Sequence, residues 1–257
     1  MQEPFNPPPI PSPQGDVNPP SFIPPSGEAK VNFDVISRAW ELLKPTIGTW
    51  IVACLIYGGA TLFLSLITNM ISGSGNPLPM PVPTGVPGEF QTPPPVMPNI
   101  PMLVIGNLVQ FIISQFLMAG LYRMAINQAR GEAPNLGTIF STVDVLPALL
   151  GAALLTSLAV FAGAIFCVLP GLLLAGLYMF ATPLVVDRRL GAIDAMSTSF
   201  NALKPQMWSA LAFILVVGLL GGAGILLCGV GVLITAPLAI LSIALLYRDF
   251  FPQPALA

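Results

Sequence analysis

Long apolar runs dominate the chain and predict six transmembrane helices. The first two runs, at about 47–71 and 102–122, each hold the roughly 20 apolar residues that an α-helix needs to cross a bilayer. The runs at 148–186 and 207–247 are too long for one crossing, because a rise of about 1.5 Å per residue would carry the first about 60 Å. We expect the first to turn at Leu169-Pro170-Gly171 and the second in the glycine-rich stretch 221–231. The predicted fold class is an all-α, polytopic membrane helical bundle.

A helical spacing of apolar residues predicts a further element before the first span. In 31–44, Ile36, the Ala39-Trp40 pair and Leu43 share one helical face, which indicates an amphipathic helix at the membrane interface. The pattern Asp-x-x-Ser-x-x-aromatic-x-x-Leu-Lys-Pro occurs at 34–45 and recurs at 194–205, and a weaker copy covers 136–147. We therefore predict three hairpins of two spans each, with an amphipathic interfacial helix before every hairpin.

The basic residues all fall on one side of the predicted membrane. With the spans drawn as above, the nine Lys and Arg residues share that side, and the loops at 72–101, 167–171 and around 228 contain none. Because cytoplasmic segments carry the excess of Lys and Arg, we expect both termini in the cytoplasm. Tyr122, Tyr178 and Tyr247 end the even-numbered spans, and we expect their rings at the cytoplasmic interface.

Proline-rich segments lie outside the predicted bundle. Residues 1–30 are rich in proline, which removes the backbone donor that a helix needs, so we predict a disordered cytoplasmic tail. This tail either docks on an aromatic groove of a protein partner or acts as a solvated spacer. The segment 72–101 is similarly predicted to be a disordered extracytoplasmic loop. The membrane domain is placed at 31–250, and 251–257 forms a short cytoplasmic tail.

The composition excludes most catalytic chemistry. Charged residues make up only 8% of the chain, against about 25% in soluble domains. The chain has no histidine, which excludes His-based acid–base catalysis, Ser-His or Cys-His pairs and His-ligated metals. A net charge of -2 argues against a nucleic acid partner. The spans contain no acid or base, which argues against an ion-coupled pump. We expect no enzymatic activity, no catalytic residue, no cofactor and no metal.

Two groups of residues are the candidates for a site. Span two is the one span with a polar face, formed by Asn107, Gln110, Ser114 and Gln115. These side chains either line a cavity for a polar substrate or form hydrogen bonds between helices. Directly after span four, Arg188 and Arg189 either contact anionic headgroups or simply set the topology.

The sequence leaves open whether two of the cysteines form a disulfide. Cys167 and Cys228 are expected near the same membrane face, so a disulfide between them is one possibility. The other is that both are free thiols that pack as small apolar side chains.

Three segments carry a resemblance to known proteins. They read FDVISRAWELLKPTIGTW at 33–50, PGLLLAGLYMFATPLVVDRRLGAIDAMSTSF at 170–200 and LCGVGVLITAPLAILSIALLYRDF at 227–250. Together they resemble a broad class of uncharacterised bacterial six-helix membrane proteins, which is similar to the membrane domain that accompanies some glycerophosphoryl diester phosphodiesterases. The resemblance implies a place in the bacterial inner membrane. It implies no assigned reaction and carries no site residue over to this chain.

Two classes of function are consistent with these features. The preferred one is a non-enzymatic scaffold or accessory protein that contacts membrane lipid and recruits a protein partner through its proline-rich tail. The alternative is a small permease or lipid-handling protein with a polar cavity at span two. A wet cavity there would favour transport, whereas a closely packed bundle would favour the scaffold. Neither hypothesis predicts an oligomeric state.

Overall fold

The computed structural model describes residues 29–73, 82–83, 90–91, 99–226 and 231–252. The tail up to residue 28, most of the 72–101 loop and residues 253–257 lie outside this set, so what we predict for them stays a prediction. The helices of the described ranges are α1 (Asp34–Leu43), α2 (Ile47–Ser72), α3 (Ile100–Ala129), α4 (Leu146–Phe166), α5 (Val168–Leu177), α6 (Ala181–Arg188), α7 (Ala192–Leu203), α8 (Met207–Leu226) and α9 (Val232–Phe250).

Short elements connect these helices. The described part of the chain has 3-10 turns at Lys44–Thr46, Leu136–Phe140, Val143–Val145 and Lys204–Gln206. It also has one antiparallel pair of two-residue strands, β1 (Val82–Pro83) and β2 (Phe90–Gln91). Six helical stretches are long and apolar enough to cross a membrane, which confirms the predicted all-α, six-span bundle.

The spans pair as three hairpins around two inner spans. Hairpin one is α2 with α3, hairpin two is α4 with α5 and α6, and hairpin three is α8 with α9. Helix α9 also packs against α1, α2 and α3, while α5 contacts α8 and α6 contacts α3. Half of the most apolar window of α9, and half of that of the α5–α6 span, is buried inside the protein, against 11% for the first two spans. The outer helices therefore present most of their apolar surface to lipid.

The sequence repeat is also a structural repeat. Helix α1, a 3-10 turn at Lys44–Thr46 and α2 follow one another in the same way as α7, a 3-10 turn at Lys204–Gln206 and α8. The proline at the second position of each 3-10 turn lacks an N–H that would have no helical partner there. Each copy thus forms an elbow that leads the chain from a surface helix into a span.

The weaker copy at 136–147 does not form the continuous amphipathic helix that we expected. It consists of the two 3-10 turns before α4. Thr and Val in this stretch have low helix propensity, and the Ser141 hydroxyl donates to the Thr138 carbonyl instead of supporting a helix.

Helix α1 packs on the bundle through a face that overlaps the predicted one, since Ala39 and Leu43 are buried and Ile36 packs against the core. Its buried residues are Val35, Ala39 and Leu43, which lie four residues apart, and the helix contacts α9. Trp40 is 38% exposed, so it lies outside the buried stripe. Periodicity indicated the apolar stripe of this helix, but its position relative to α9 depends on a neighbour about 200 residues away in the chain.

Hairpin two turns earlier than predicted. The chain leaves α4 at Cys167, whose backbone is extended (φ -171°, ψ 150°), and Pro170 already lies in the first turn of α5. The predicted turn at Leu169-Pro170-Gly171 was therefore wrong by a few residues, because proline is tolerated at a helix start. A Cβ on Gly171 would come within 3.0 Å of the Ala164 backbone, so glycine permits the close crossing of α4 and α5.

Span four is broken between α5 and α6, and Ser199 of α7 stabilises the break. The Ser199 hydroxyl donates to the carbonyl of Leu177 at 2.7 Å and accepts from the N–H of Phe180 at 3.2 Å. Ser199 is fully buried, so these two bonds satisfy backbone groups that the interruption of the helix would leave without partners.

Candidate functional site

Charged side chains collect at the end of the bundle where α2, α4 and α8 begin and where α3, α6 and α9 end. We call this the basic end. Several of its Arg residues form ion pairs with Asp residues of other segments: Arg38 pairs with Asp249, Arg130 with Asp187, and Arg189 with Asp144. This grouping agrees with the predicted arrangement of the basic residues. Which compartment the basic end faces stays a prediction.

Asp187, in the last turn of α6, is the centre of this arrangement. A guanidinium nitrogen of Arg130, just after α3, lies 2.7 Å from its carboxylate. The phenol of Tyr247 in α9 donates to it at 2.8 Å. The Nε of Arg188 lies 3.4 Å away, close enough for an ion pair but not aligned as a hydrogen bond. Asp187 therefore contacts one residue from each of the other two hairpins as well as its own neighbour.

Burial makes these contacts energetically important. The side chain of Asp187 is 8% exposed and that of Arg130 is 20% exposed. A buried charge costs several kcal/mol unless an opposite charge compensates it. Removing Asp187 or Arg130 would therefore lower the stability of the fold substantially. We call Asp187, Arg130 and Tyr247 the lock, because they join the three hairpins at one point.

Neighbouring contacts extend the lock. Arg248 donates to the carbonyl of Ala129 at the end of α3, where a cation interacts favourably with the helix dipole. Arg38 of α1 pairs with Asp249, which attaches the surface helix to α9. Arg188 donates to the carbonyls of Phe251 and Pro252 at 3.3 and 3.4 Å. Each of these bonds links segments that are distant in the sequence.

An aromatic cluster positions the phenol of Tyr247. Phe180, in the break between α5 and α6, packs edge-on against the rings of Tyr247 and Phe251, at 5.9 and 6.0 Å between centroids. Tyr247 is fully buried, so it does not have the wet interfacial position that we expected from the sequence. Its hydroxyl finds a carboxylate instead of water, as a buried tyrosine requires.

A second polar contact stabilises the elbow between α1 and α2. The indole N–H of Trp50 donates to the side-chain oxygen of Gln128 at 2.7 Å. The Gln128 amide nitrogen donates to the Leu42 carbonyl at 2.8 Å and to the Thr46 hydroxyl at 2.9 Å. Sequence reasoning missed Gln128, because Trp50 lies 78 residues away and no local pattern connects the two.

The four polar residues of span two lie in different surroundings. Asn107 is exposed and donates to the Leu103 carbonyl, and Ser114 donates to the Phe111 carbonyl, so both bonds lie within α3. Gln115 is half-buried on the same helix. The structure therefore does not bring the four predicted residues together in one cavity.

Gln110 alone among them lines a groove of about 640 Å³ between α2, α3 and the start of α9. The groove is mainly apolar, and Thr61 and Ser65 of α2 add hydroxyls to it. Gly58 and Gly59 have no neighbour within 4 Å of an added Cβ, which indicates open space beside α2. Its volume lies in the range of small-molecule sites. The surroundings suit an acyl chain with a polar group beside it.

The two arginines after span four have opposite orientations. The side chain of Arg188 is 18% exposed and faces the lock, so it is not placed for headgroup contact. Arg189 is 66% exposed and pairs with Asp144 at 2.7 Å. Within the described ranges, clusters of His, Cys, Asp and Glu suited to a metal are absent. Cys167 is exposed, and Cys228 lies outside the described residues, so the structure does not test the choice between a disulfide and two free thiols.

Comparisons with known proteins find relatives in mycobacteria. The chain is 28% identical over 151 residues to "Uncharacterized protein Rv2560" of Mycobacterium tuberculosis and, equally, to "Uncharacterized protein Mb2590" of Mycobacterium bovis. The match covers 57% of this chain and 45% of each relative, so the chain spans less than half the length of these curated relatives. No family model and no solved structure matches the chain. The chain is thus similar to bacterial proteins of unassigned activity, and no link to the phosphodiesterase-associated membrane domain is shown.

Proposed function

We propose that this protein is a non-enzymatic scaffold or accessory protein of the bacterial inner membrane. Its six-span bundle would serve as a rigid platform that presents the proline-rich segment 1–28 to a protein partner in the cytoplasm. Extended proline-rich segments bind aromatic grooves of partner domains with little loss of conformational freedom, which suits this role.

The observation that carries the proposal is the lock. Arg130 and Tyr247, from two of the hairpins, both bond to the Asp187 carboxylate of the third. A charged group that is buried and paired in this way holds helices in one arrangement and is not free to bind a substrate. The groove at Gln110, in contrast, is mainly apolar.

The attachment of the first described residues to the bundle also supports the proposed scaffold role. The Gln206 side chain, in the elbow before α8, accepts from the N–H of Val31 and donates to the carbonyl of Ala29, each at 2.8 Å. Ala29 and Val31 also pack against the core. The first described residues are therefore attached to the basic end, which gives the preceding 28 residues a defined origin.

The scaffold role is tested by isolating the protein with its surrounding lipid in polymer-bounded nanodiscs from native membranes. We compare the natural chain with a matched variant whose residues 1–28 are replaced by a Gly-Ser segment of equal length. A photo-crosslinking amino acid at Phe22 records direct contact. The proposal predicts a stoichiometric protein partner that crosslinks at Phe22 and is lost from the matched variant. Equal recovery of all proteins from both chains would overturn it.

The groove at Gln110 favours one alternative, a small permease or lipid-handling protein. Gln110→Trp would fill the groove, whereas Asn107→Trp adds the same bulk on an exposed part of α3. If the alternative holds, Gln110→Trp abolishes lipid movement between leaflets in proteoliposomes and Asn107→Trp leaves it intact. Equal activity of both variants, or none in the natural protein, would contradict the alternative.

A further inference from the structure

A polar recess of about 530 Å³ lies at the basic end, apart from the lock and the groove. It is formed by the last turns of α3, the 3-10 turns before α4, and the residue after α6. Its polar lining consists of Arg123, Asn127, Thr138, Ser141, Asp144 and Arg189.

The charges of the recess favour an anion. The recess holds two guanidinium groups and one carboxylate, that of Asp144, which pairs with Arg189 at 2.7 Å. The remaining polar side chains are two hydroxyls and an amide. Arg123 donates to the Ser141 carbonyl at 2.6 Å, which fixes the guanidinium while leaving most of its five N–H groups available. Two guanidinium groups on one recess can together donate to several acceptor oxygens of a phosphate group.

Arg189 ends α6 in a left-handed conformation, and its N–H donates to the Val185 carbonyl at 3.1 Å. Arg189 has φ 54° and ψ 32°, a left-handed conformation that no other non-glycine residue in the described ranges adopts. This conformation costs a side-chain-bearing residue about 1–2 kcal/mol, and glycine usually occupies it after a helix. Here it directs Arg189 outward to the recess while the preceding residue faces inward to the lock. Backbone strain of this kind concentrates at binding sites.

The apolar neighbours of the recess indicate the source of the phosphate. Phe140 and Val143, which also line it, are 55% and 63% exposed. Exposed apolar side chains beside cationic groups are typical of the membrane interface, where acyl chains cover them. We infer that the recess binds the phosphate of an anionic phospholipid between Arg123 and Arg189, with its acyl chains along Phe140 and Val143. The inference is independent of the scaffold role, because the lipid site exists whichever partner the tail recruits.

The test uses the full-length protein in detergent, with native mass spectrometry to count bound phosphatidylglycerol. The variant Arg189→Gly removes the guanidinium and relieves the backbone strain, so it is expected to fold at least as stably as the natural chain. We expect it to bind phosphatidylglycerol about tenfold more weakly, and Arg123→Gln combined with it to abolish specific binding. Lys204→Gln, which removes an exposed cation at the same end but outside the recess, serves as the matched control.

Two outcomes would overturn the inference. One is equal loss of phosphatidylglycerol from Arg189→Gly and from Lys204→Gln, which would indicate a diffuse attraction to the basic end. The other is displacement of the lipid by inorganic phosphate or glycerol phosphate at low millimolar concentration, which would indicate a site for a soluble anion. Retention of binding against both soluble competitors, together with its loss in Arg189→Gly, supports the phospholipid.

Discussion

The phenol of Tyr247 donates a hydrogen bond of 2.8 Å to Asp187, which links the last span to the end of the fourth. Arg130 reaches the same carboxylate from the end of the second span. A single carboxylate thus fixes the relative positions of three hairpins whose lipid-facing surfaces provide little specificity. In a membrane, where apolar contact between helices competes with equally apolar lipid, such polar contacts contribute much to the choice of one packing arrangement.

Asp187→Asn is expected to destabilise the bundle by about 3 kcal/mol, because it removes the negative charge that Arg130 and Arg188 pair with in a mostly buried site. Tyr247→Phe removes one hydrogen bond to the carboxylate and leaves the ion pair in place, so the cost is about 1.5–3 kcal/mol. Thermal unfolding of the purified protein in detergent measures both. Glu41→Gln is the control, since the Glu41–Lys44 pair is exposed and contributes little. Equal melting of Asp187→Asn and Glu41→Gln would show that the lock does not stabilise the fold.

Gln128→Leu is expected to destabilise the elbow between α1 and α2. The change leaves the fully buried indole N–H of Trp50 without its acceptor, at a cost of about 1–3 kcal/mol, while the Leu42 carbonyl keeps the Thr46 hydroxyl at 3.1 Å. The same substitution at Gln110, which lines the groove, has a smaller effect on stability. Thermal unfolding compares the two, and a greater loss of stability for Gln110→Leu would contradict the role assigned to Gln128.

Gly120→Ala tests the close packing of α3 against the 3-10 turn Leu136–Phe140. An added Cβ would lie 2.2 Å from the carbonyl oxygen of Ile139 and 2.5 Å from its Cα, so the backbone must move. We expect a loss of about 1–3 kcal/mol from this overpacking. Gly218→Ala in α8 meets nothing within 4 Å and is expected to gain about 0.5 kcal/mol through lower chain entropy. Similar unfolding temperatures for the two variants would disprove the close contact.

Gln206→Ala is expected to release the segment that precedes α1. Lys30 is the first trypsin site in the chain, and the bonds from Gln206 hold the backbone on either side of it. Limited digestion should therefore remove the first 30 residues several-fold faster from the variant than from the natural chain. Asn201→Ala, on the exposed face of α7, is the control. Unchanged cleavage in Gln206→Ala would mean that other contacts hold the segment.

The orientation of the bundle is tested by labelling single cysteines in a chain that has lost Cys54, Cys167 and Cys228. A membrane-impermeant maleimide should reach Phe90→Cys from outside intact spheroplasts. It should reach Glu132→Cys, on the connection at the basic end, only after the membrane is opened. Labelling of both positions from the same side would contradict the predicted six-span topology.

Much of the fold follows from local features of the sequence. Apolar runs of the length of a bilayer indicate spans whatever they pack against, since lipid itself requires them. The 34–45 and 194–205 copies predicted two elbows of the same construction, because proline after a surface helix acts on its own backbone. The turn after α4 was misplaced by a few residues, since Pro170 fits a helix start as well as a turn.

The sites depend on contacts that no local pattern encodes. Neither the pairing of Asp187 with Arg130 and Tyr247 nor that of Gln128 with Trp50 has a signal in the sequence, because each joins residues that are far apart in the chain. The opposite orientations of Arg188 and Arg189 likewise depend on one left-handed residue after α6. Hydropathy along the chain therefore determined the six helical stretches that are long and apolar enough to cross a membrane. Only the tertiary structure decided which of its few charged groups are buried as partners and which remain available for binding, because burial depends on neighbouring helices.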